Sequence, residues 1–195
     1  MKPRTRTPIR FAAPIAVAAA LLCGAAAFAA DDNPEPRNGR GWRIELFGAR
    51  AFDGGDDSHV SDLYTVASVG YEWPIFARAV LGLKAYPLFL YHEHADESGD
   101  SDLFYGAGFG AHLRYHFTRD DYRGLYAELG VGPIFHAGQI EGNSADLDFL
   151  SEIGVGYAFE NDWHVVIKLQ HLSNANIGRR NAGVNALGIG FGRSF

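Results

Sequence analysis

The sequence predicts an all-β fold, an eight-stranded antiparallel transmembrane β-barrel of the outer-membrane type, and three observations carry that prediction. Eight segments alternate apolar and polar residues with the period of two that a strand imposes. The connections alternate between short turns and longer loops rich in Gly, Asp, Ser and Asn, the asymmetry of bacterial barrels. The last segment stops on Phe195, and a terminal aromatic after an alternating strand resembles the assembly signal of outer-membrane proteins.

Residues 1–30 read as a secretory signal peptide. Lys2, Arg4, Arg6 and Arg10 form the basic region, Phe11 to Ala27 a small-residue apolar stretch, and Ala27-Phe28-Ala29 a cleavage site. Loss of those four cations takes the net charge from −6 to −10, a poor match to nucleic acid. The single cysteine, Cys23, leaves with the signal and is preceded by Leu22, where a lipoprotein box would carry a small residue. The mature chain then holds neither a disulfide framework nor a thiolate metal site. Mean hydropathy is −0.10, which in a barrel is compatible with membrane insertion because only alternate residues meet lipid. No later segment has the roughly 18 consecutive apolar residues of a membrane helix.

A polar leader over 31–40 precedes the barrel, residues 41–195. Strands are expected at 41–52, 61–73, 77–92, 102–117, 122–136, 147–159, 162–173 and 183–195. The first three and the fifth carry Glu45, Glu72, Lys84 and Glu128 on inner parities, and Arg114, Glu152 and Lys168 join them from the fourth, sixth and seventh. These charges read as a paired plug in the lumen. In the fourth strand Leu103, Tyr105, Phe109, Leu113 and Tyr115 alternate with Gly106, Gly108, Gly110, His112 and Arg114, and small inner residues suit a narrow barrel filled by side chains. The sixth alternates Phe149, Ile153, Val155 and Tyr157 with Glu152, Gly154 and Gly156. In the eighth, Leu187, Ile189, Phe191 and Phe195 share the outer face, and Arg193 interrupts it where an arginine can snorkel to headgroups. Short turns are expected near Pro74, Thr118–Asp121 and Glu160–Asn161, on the periplasmic side.

The seventh strand carries the candidate chemistry. Trp163, Val165, Ile167, Leu169, His171 and Ser173 share the lipid-facing parity, so the last two place polar groups where the apolar band ends, level with the outer leaflet. Same-face neighbours on a strand lie about 6.5–7 Å apart, which lets a histidine reach a serine two residues on and activate its hydroxyl. An isolated His-x-Ser would read as interfacial polar residues. The string is longer: His171-Leu172-Ser173-Asn174-Ala175, then Asn181-Ala182-Gly183, then a strand ending in Phe195.

That string resembles the lipid A 3-O-deacylase family of the PagL type, eight-stranded outer-membrane serine esterases. The specific match covers roughly the last 25 residues. The resemblance implies Ser173 as nucleophile, His171 as general base, and an oxyanion site with contributions from Asn181 and from the chain around Asn174 to Asn176. It implies hydrolysis of the 3-O-linked acyl chain of lipid A, with lipopolysaccharide and membrane lipids as partners and neither a cofactor nor a metal. It also implies residence in the bacterial outer membrane. The family's third residue is a glutamate, and here that position is Asn185. An amide oxygen can accept a hydrogen bond from the histidine but cannot stabilise imidazolium by charge, so activity about 10- to 10³-fold lower is expected.

Two other classes remain open at this point. A non-catalytic eight-stranded barrel, structural or surface-binding, would share the architecture, and a soluble periplasmic ligand carrier would share the strand count. The acidic loops, including Asp53, Asp62, Glu93, Asp102, Asp146 and Asp148, read as solvated segments because no spacing matches a calcium loop. His92 and His94 share a parity that reads as lumenal, without an evident third metal ligand. The sequence leaves open whether the barrel forms a homodimer.

Overall fold

The computed structural model describes residues 39–54, 60–94, 102–118, 121–140 and 143–195. The expected signal peptide and the leader as far as residue 38 lie outside them. Eight strands follow one another: β1 (Gly41–Gly54), β2 (Leu63–Phe76), β3 (Ala79–His92), β4 (Leu103–His116), β5 (Gly124–His136), β6 (Leu147–Ala158), β7 (Trp163–Ser173) and β8 (Val184–Ser194). Each pairs antiparallel with its sequence neighbours, and β1 pairs with β8 to close the barrel. Closure removes the unpaired edges that an open sheet would present to lipid. Phe195 completes the seam, exchanging backbone hydrogen bonds with Trp42 at 2.8 and 3.1 Å.

Alternation decides which side chains meet lipid. Leu113, Leu129, Ile153, Ile167, Leu187 and Ile189 are among the exposed apolar residues, while strand neighbours such as Arg114, Glu128, Glu152, Val166, Lys168 and Ala186 point inward and are buried. Inside, Arg43, Lys84, Arg114 and Lys168 face Glu45, Glu72, Glu128 and Glu152, four cations against four carboxylates. Lys168 Nζ lies 2.5 Å from Glu45 and 2.7 Å from Glu128, Lys84 pairs with Glu152, and Arg114 pairs with Glu72. Removing one member would strand its partner's charge in a dry interior, at a cost of about 3–5 kcal/mol. Cavities of about 10 Å³ are left between these side chains, room for a single water. The lumen at this level is therefore filled by a plug of paired charges.

Three expectations are corrected. The turn after β2 falls at Ala77–Arg78, because Pro74 is accommodated inside the strand beside a register shift between Pro74 and Phe76. His92 is exposed, because a second shift between Tyr86 and Phe89 turns Tyr91 inward and His92 outward. Asp62 and Asp148 are not solvated loop residues: both are buried and hydrogen-bonded, Asp62 accepting from Tyr91 Oη at 2.7 Å.

The two ends of the barrel differ. At the turn end Trp42 packs edge-on against Tyr71, Trp163 stacks on Phe191 with centroids 4.8 Å apart, and Arg193 lies over the rings of Trp163 and Phe195. Such an aromatic girdle marks a membrane–water interface. The loop end holds the C-terminal end of β7 and the N-terminal end of β8, and there Leu172 and Val184 anchor an apolar inner cluster with Tyr64, Tyr91, Ile134 and Leu150.

Candidate active site

The β7–β8 ladder pairs His171 with Asn185 and Leu172 with Val184. Leu172 and Val184 point into the barrel and are fully enclosed. Burial of one such side chain contributes about 1.5–3 kcal/mol, and it fixes by alternation that His171, Ser173 and Asn185 project outward. His171 is exposed, and Ser173 and Asn185 are half-buried.

His171 Nδ1 lies 2.9 Å from Asn185 Oδ1, so the imidazole donates from Nδ1 to the amide oxygen. In the neutral ring this contact selects the tautomer whose other nitrogen, Nε2, keeps its lone pair, the form a general base requires. Among the described residues no hydrogen bond joins His171 to Ser173, and such contacts commonly tighten only around a substrate.

The loop that follows β7 is built by its asparagines. Asn174 is 0% exposed, with Nδ2 donating to the Arg180 carbonyl at 2.7 Å and Oδ1 accepting from the Asn176 amide at 3.0 Å. Its backbone N–H donates to Asn181 Oδ1 at 3.0 Å, and Asn181 Nδ2 reaches Asn176 Oδ1 at 3.3 Å. Ala175 and Asn176 both adopt the left-handed conformation, at φ 51° and 62°, which reverses the chain directly after the serine.

A neighbouring loop holds this one in place. Asn143 forms an isolated bridge with Asn181, and its Oδ1 accepts from the Ala182 amide at 3.0 Å. Asn143 Nδ2 donates to Asp148, which also bonds His136 Nε2 at 3.0 Å. Ser144 Oγ accepts from the Arg180 amide at 3.0 Å. Asn143, Asp148 and His136 were not signalled as site residues by the sequence, because Asn143 lies in the β5–β6 loop and His136 and Asp148 at the strand ends beside it, and only the tertiary fold brings that region against the loop after β7.

Gly183 gives the third residue of the Asn-x-Gly element a physical reason. Its φ is +66°, and a Cβ there would lie 3.2 Å from Cε1 of His171. A side chain would be both strained and pressed against the ring.

A family profile described as lipid A 3-O-deacylase (PagL) matches residues 65–194, from β2 to the end of β8, and so contains His171, Ser173 and Asn185. The chain belongs to this family. β1 precedes the matched span. The crystal structure of the outer membrane enzyme PagL superposes with a TM-score of 0.56 at 16% identity, over 78% of this chain and 99% of that one. Neisserial surface protein A (NspA) superposes with a TM-score of 0.52 at 15% identity, over 79% of this chain and 97% of that one. At these identities the likeness is one of fold, an outer-membrane barrel in both cases. No curated protein matches the chain by sequence.

Proposed function

We propose that this member of the family is an active outer-membrane serine esterase that hydrolyses the 3-O-linked acyl chain of lipid A in the outer leaflet. The observation that carries the reading is the His171–Asn185 hydrogen bond of 2.9 Å, which orients the imidazole on the lipid-facing side, two residues before a serine. In this reading Ser173 Oγ attacks the ester carbonyl as its proton passes to His171 Nε2. The imidazolium then protonates the departing sugar oxygen, leaving an acyl-enzyme. Water, deprotonated by the same nitrogen, releases a 3-hydroxy fatty acid and restores the serine.

Asn174 and Asn181 have different parts in the proposal. Asn174, whose side chain is enclosed within its loop, sets the loop's shape, whereas Asn181 is half-buried and its Nδ2 has a hydrogen beyond the one given to Asn176, available to the oxyanion. A shallow groove of about 560 Å³ on the lipid-facing side starts at Leu187, the next outward residue below Asn185. Gly48, Leu63, Thr65, Ile167 and Ile189 line it as well, together with Arg50, and this mainly apolar surface suits an acyl chain lying along the barrel.

One observation favours a second reading, a non-catalytic barrel: an amide stands at residue 185 where the family has an acid. Release of free 3-hydroxy fatty acid from lipopolysaccharide in detergent separates the two. The esterase reading expects release by the unmodified protein and none by Ser173→Ala; equal release by both, or none from either, contradicts it.

A further inference from the structure

Asn185 does not end the hydrogen-bond chain that begins at His171. Its Nδ2 donates to Asp53 Oδ2 at 3.3 Å, across the seam where β8 meets β1. Three strands therefore contribute one residue each to a row on the outer face: His171 from β7, Asn185 from β8 and Asp53 from β1.

A β-bulge places Asp53 there. β1 pairs Ala51 with Ala186 and Asp53 with Asn185, so Phe52 is an extra residue on the β1 side. Arg43, Glu45, Phe47, Ala49 and Ala51 all point inward, and unbroken alternation would send Asp53 inward with them. The shift turns it out to the surface beside Asn185, where it is exposed.

The chemistry of the row is directional. A carboxylate can only accept, so Asp53 requires the NH₂ end of the Asn185 amide and thereby turns its oxygen toward His171. That oxygen in turn requires a proton on Nδ1, leaving Nε2 basic. With the amide reversed, its NH₂ would face His171, Nδ1 would have to accept, and the proton would sit on Nε2, the wrong nitrogen for a base.

We propose that Asp53 is a positioning residue of the active site: it locks the Asn185 amide, and through it the His171 tautomer, and it supplies from β1 the carboxylate that residue 185 lacks. This rests on the esterase reading for its catalytic consequence, but the lock itself does not.

Two measurements test it. The first is ¹⁵N NMR of histidine-labelled protein in detergent micelles, at a pH where the His171 ring is neutral, with its signals assigned by their loss in His171→Gln. The unmodified protein is expected to hold the Nδ1–H tautomer, and Asp53→Ala to shift His171 toward the Nε2–H form. Identical tautomer populations in the two proteins would overturn the lock, whether or not either has esterase activity. The second is a kinetic cycle on lipopolysaccharide. Asp53→Ala is expected to lower kcat by about 10-fold or more with KM changed less than about 2-fold, and Asp53→Glu to recover part of the loss. In an Asn185→Glu background the same Asp53→Ala change is expected to leave kcat unchanged or raise it, because the carboxylate is then on β8 and Asp53 only repels it. An equal loss in both backgrounds would mark Asp53 as merely structural and overturn the positioning role. Absence of activity in every variant would count against the esterase reading, and the tautomer comparison would still decide the lock.

Discussion

His171 and Asn185 face each other as direct cross-strand partners, with Nδ1 and Oδ1 2.9 Å apart on the lipid-facing side of the barrel. The pairing needs no loop to hold it. Both residues sit in regular strand, with the buried Leu172–Val184 pair as their neighbour, so the β7–β8 ladder itself sets the two side chains opposite each other.

Substitution within this pair should therefore be felt in turnover and not in folding. Asn185→Ala removes the acceptor and frees the ring to rotate, and kcat is expected to fall by about 10- to 10²-fold. The heat-dependent gel shift of the folded barrel should be unchanged, since Asn185 lies on the outer face and no lumenal ion pair involves it.

Gly183 should tolerate no side chain. Gly183→Ala puts a Cβ 3.2 Å from Cε1 of His171 at a φ of +66°, a backbone cost of about 1–2 kcal/mol with displacement of the ring in addition. Steady-state kinetics are expected to show kcat reduced by about 10-fold or more.

How much of this was legible in the sequence depends on what sets each feature. Alternation and turn composition locate all eight strands to within a few residues, because burial on one side of a sheet writes itself into every second position. The same rule puts His171, Ser173 and Asn185 on one face. It fails at bulges, where one added residue inverts the pattern: Phe52 and the shift after Tyr86 are invisible to parity, so Asp53 and His92 lie on the opposite side from the one alternation assigns. Asn143 was hidden for another reason: Asp148 is a near neighbour in the chain, but Ala182 comes to it only where the loop before β6 packs against the loop after β7.

The support under the loop after β7 gives a separate prediction. Asn143→Ala deletes the acceptor for the Ala182 amide and a donor to the enclosed Asp148, leaving buried polar groups unpaired at about 1–3 kcal/mol. Hydrogen exchange across residues 174–183 should rise while exchange in the strands stays slow.

The groove below the site should set which acyl chain is held. A Cβ at Gly48 meets nothing within 4 Å, so Gly48→Phe can fill the groove without disturbing the barrel. Competition between lipid A species of different acyl length is expected to shift toward shorter chains, with kcat/KM for the longest falling by about 10-fold, the worth of one or two methylenes in an apolar site.

Mass spectrometry of lipid A from lipopolysaccharide incubated with the unmodified protein, Ser173→Ala and Asn185→Glu tests the central claim most directly. Loss of one hydroxyacyl mass is expected with the unmodified protein, faster loss with Asn185→Glu, and none with Ser173→Ala. Intact lipid A after incubation with the unmodified protein would contradict the account. If Asn185→Glu alone removed the chain, the family scaffold would be present but disabled at residue 185, and if no protein removed it, the barrel would be non-catalytic.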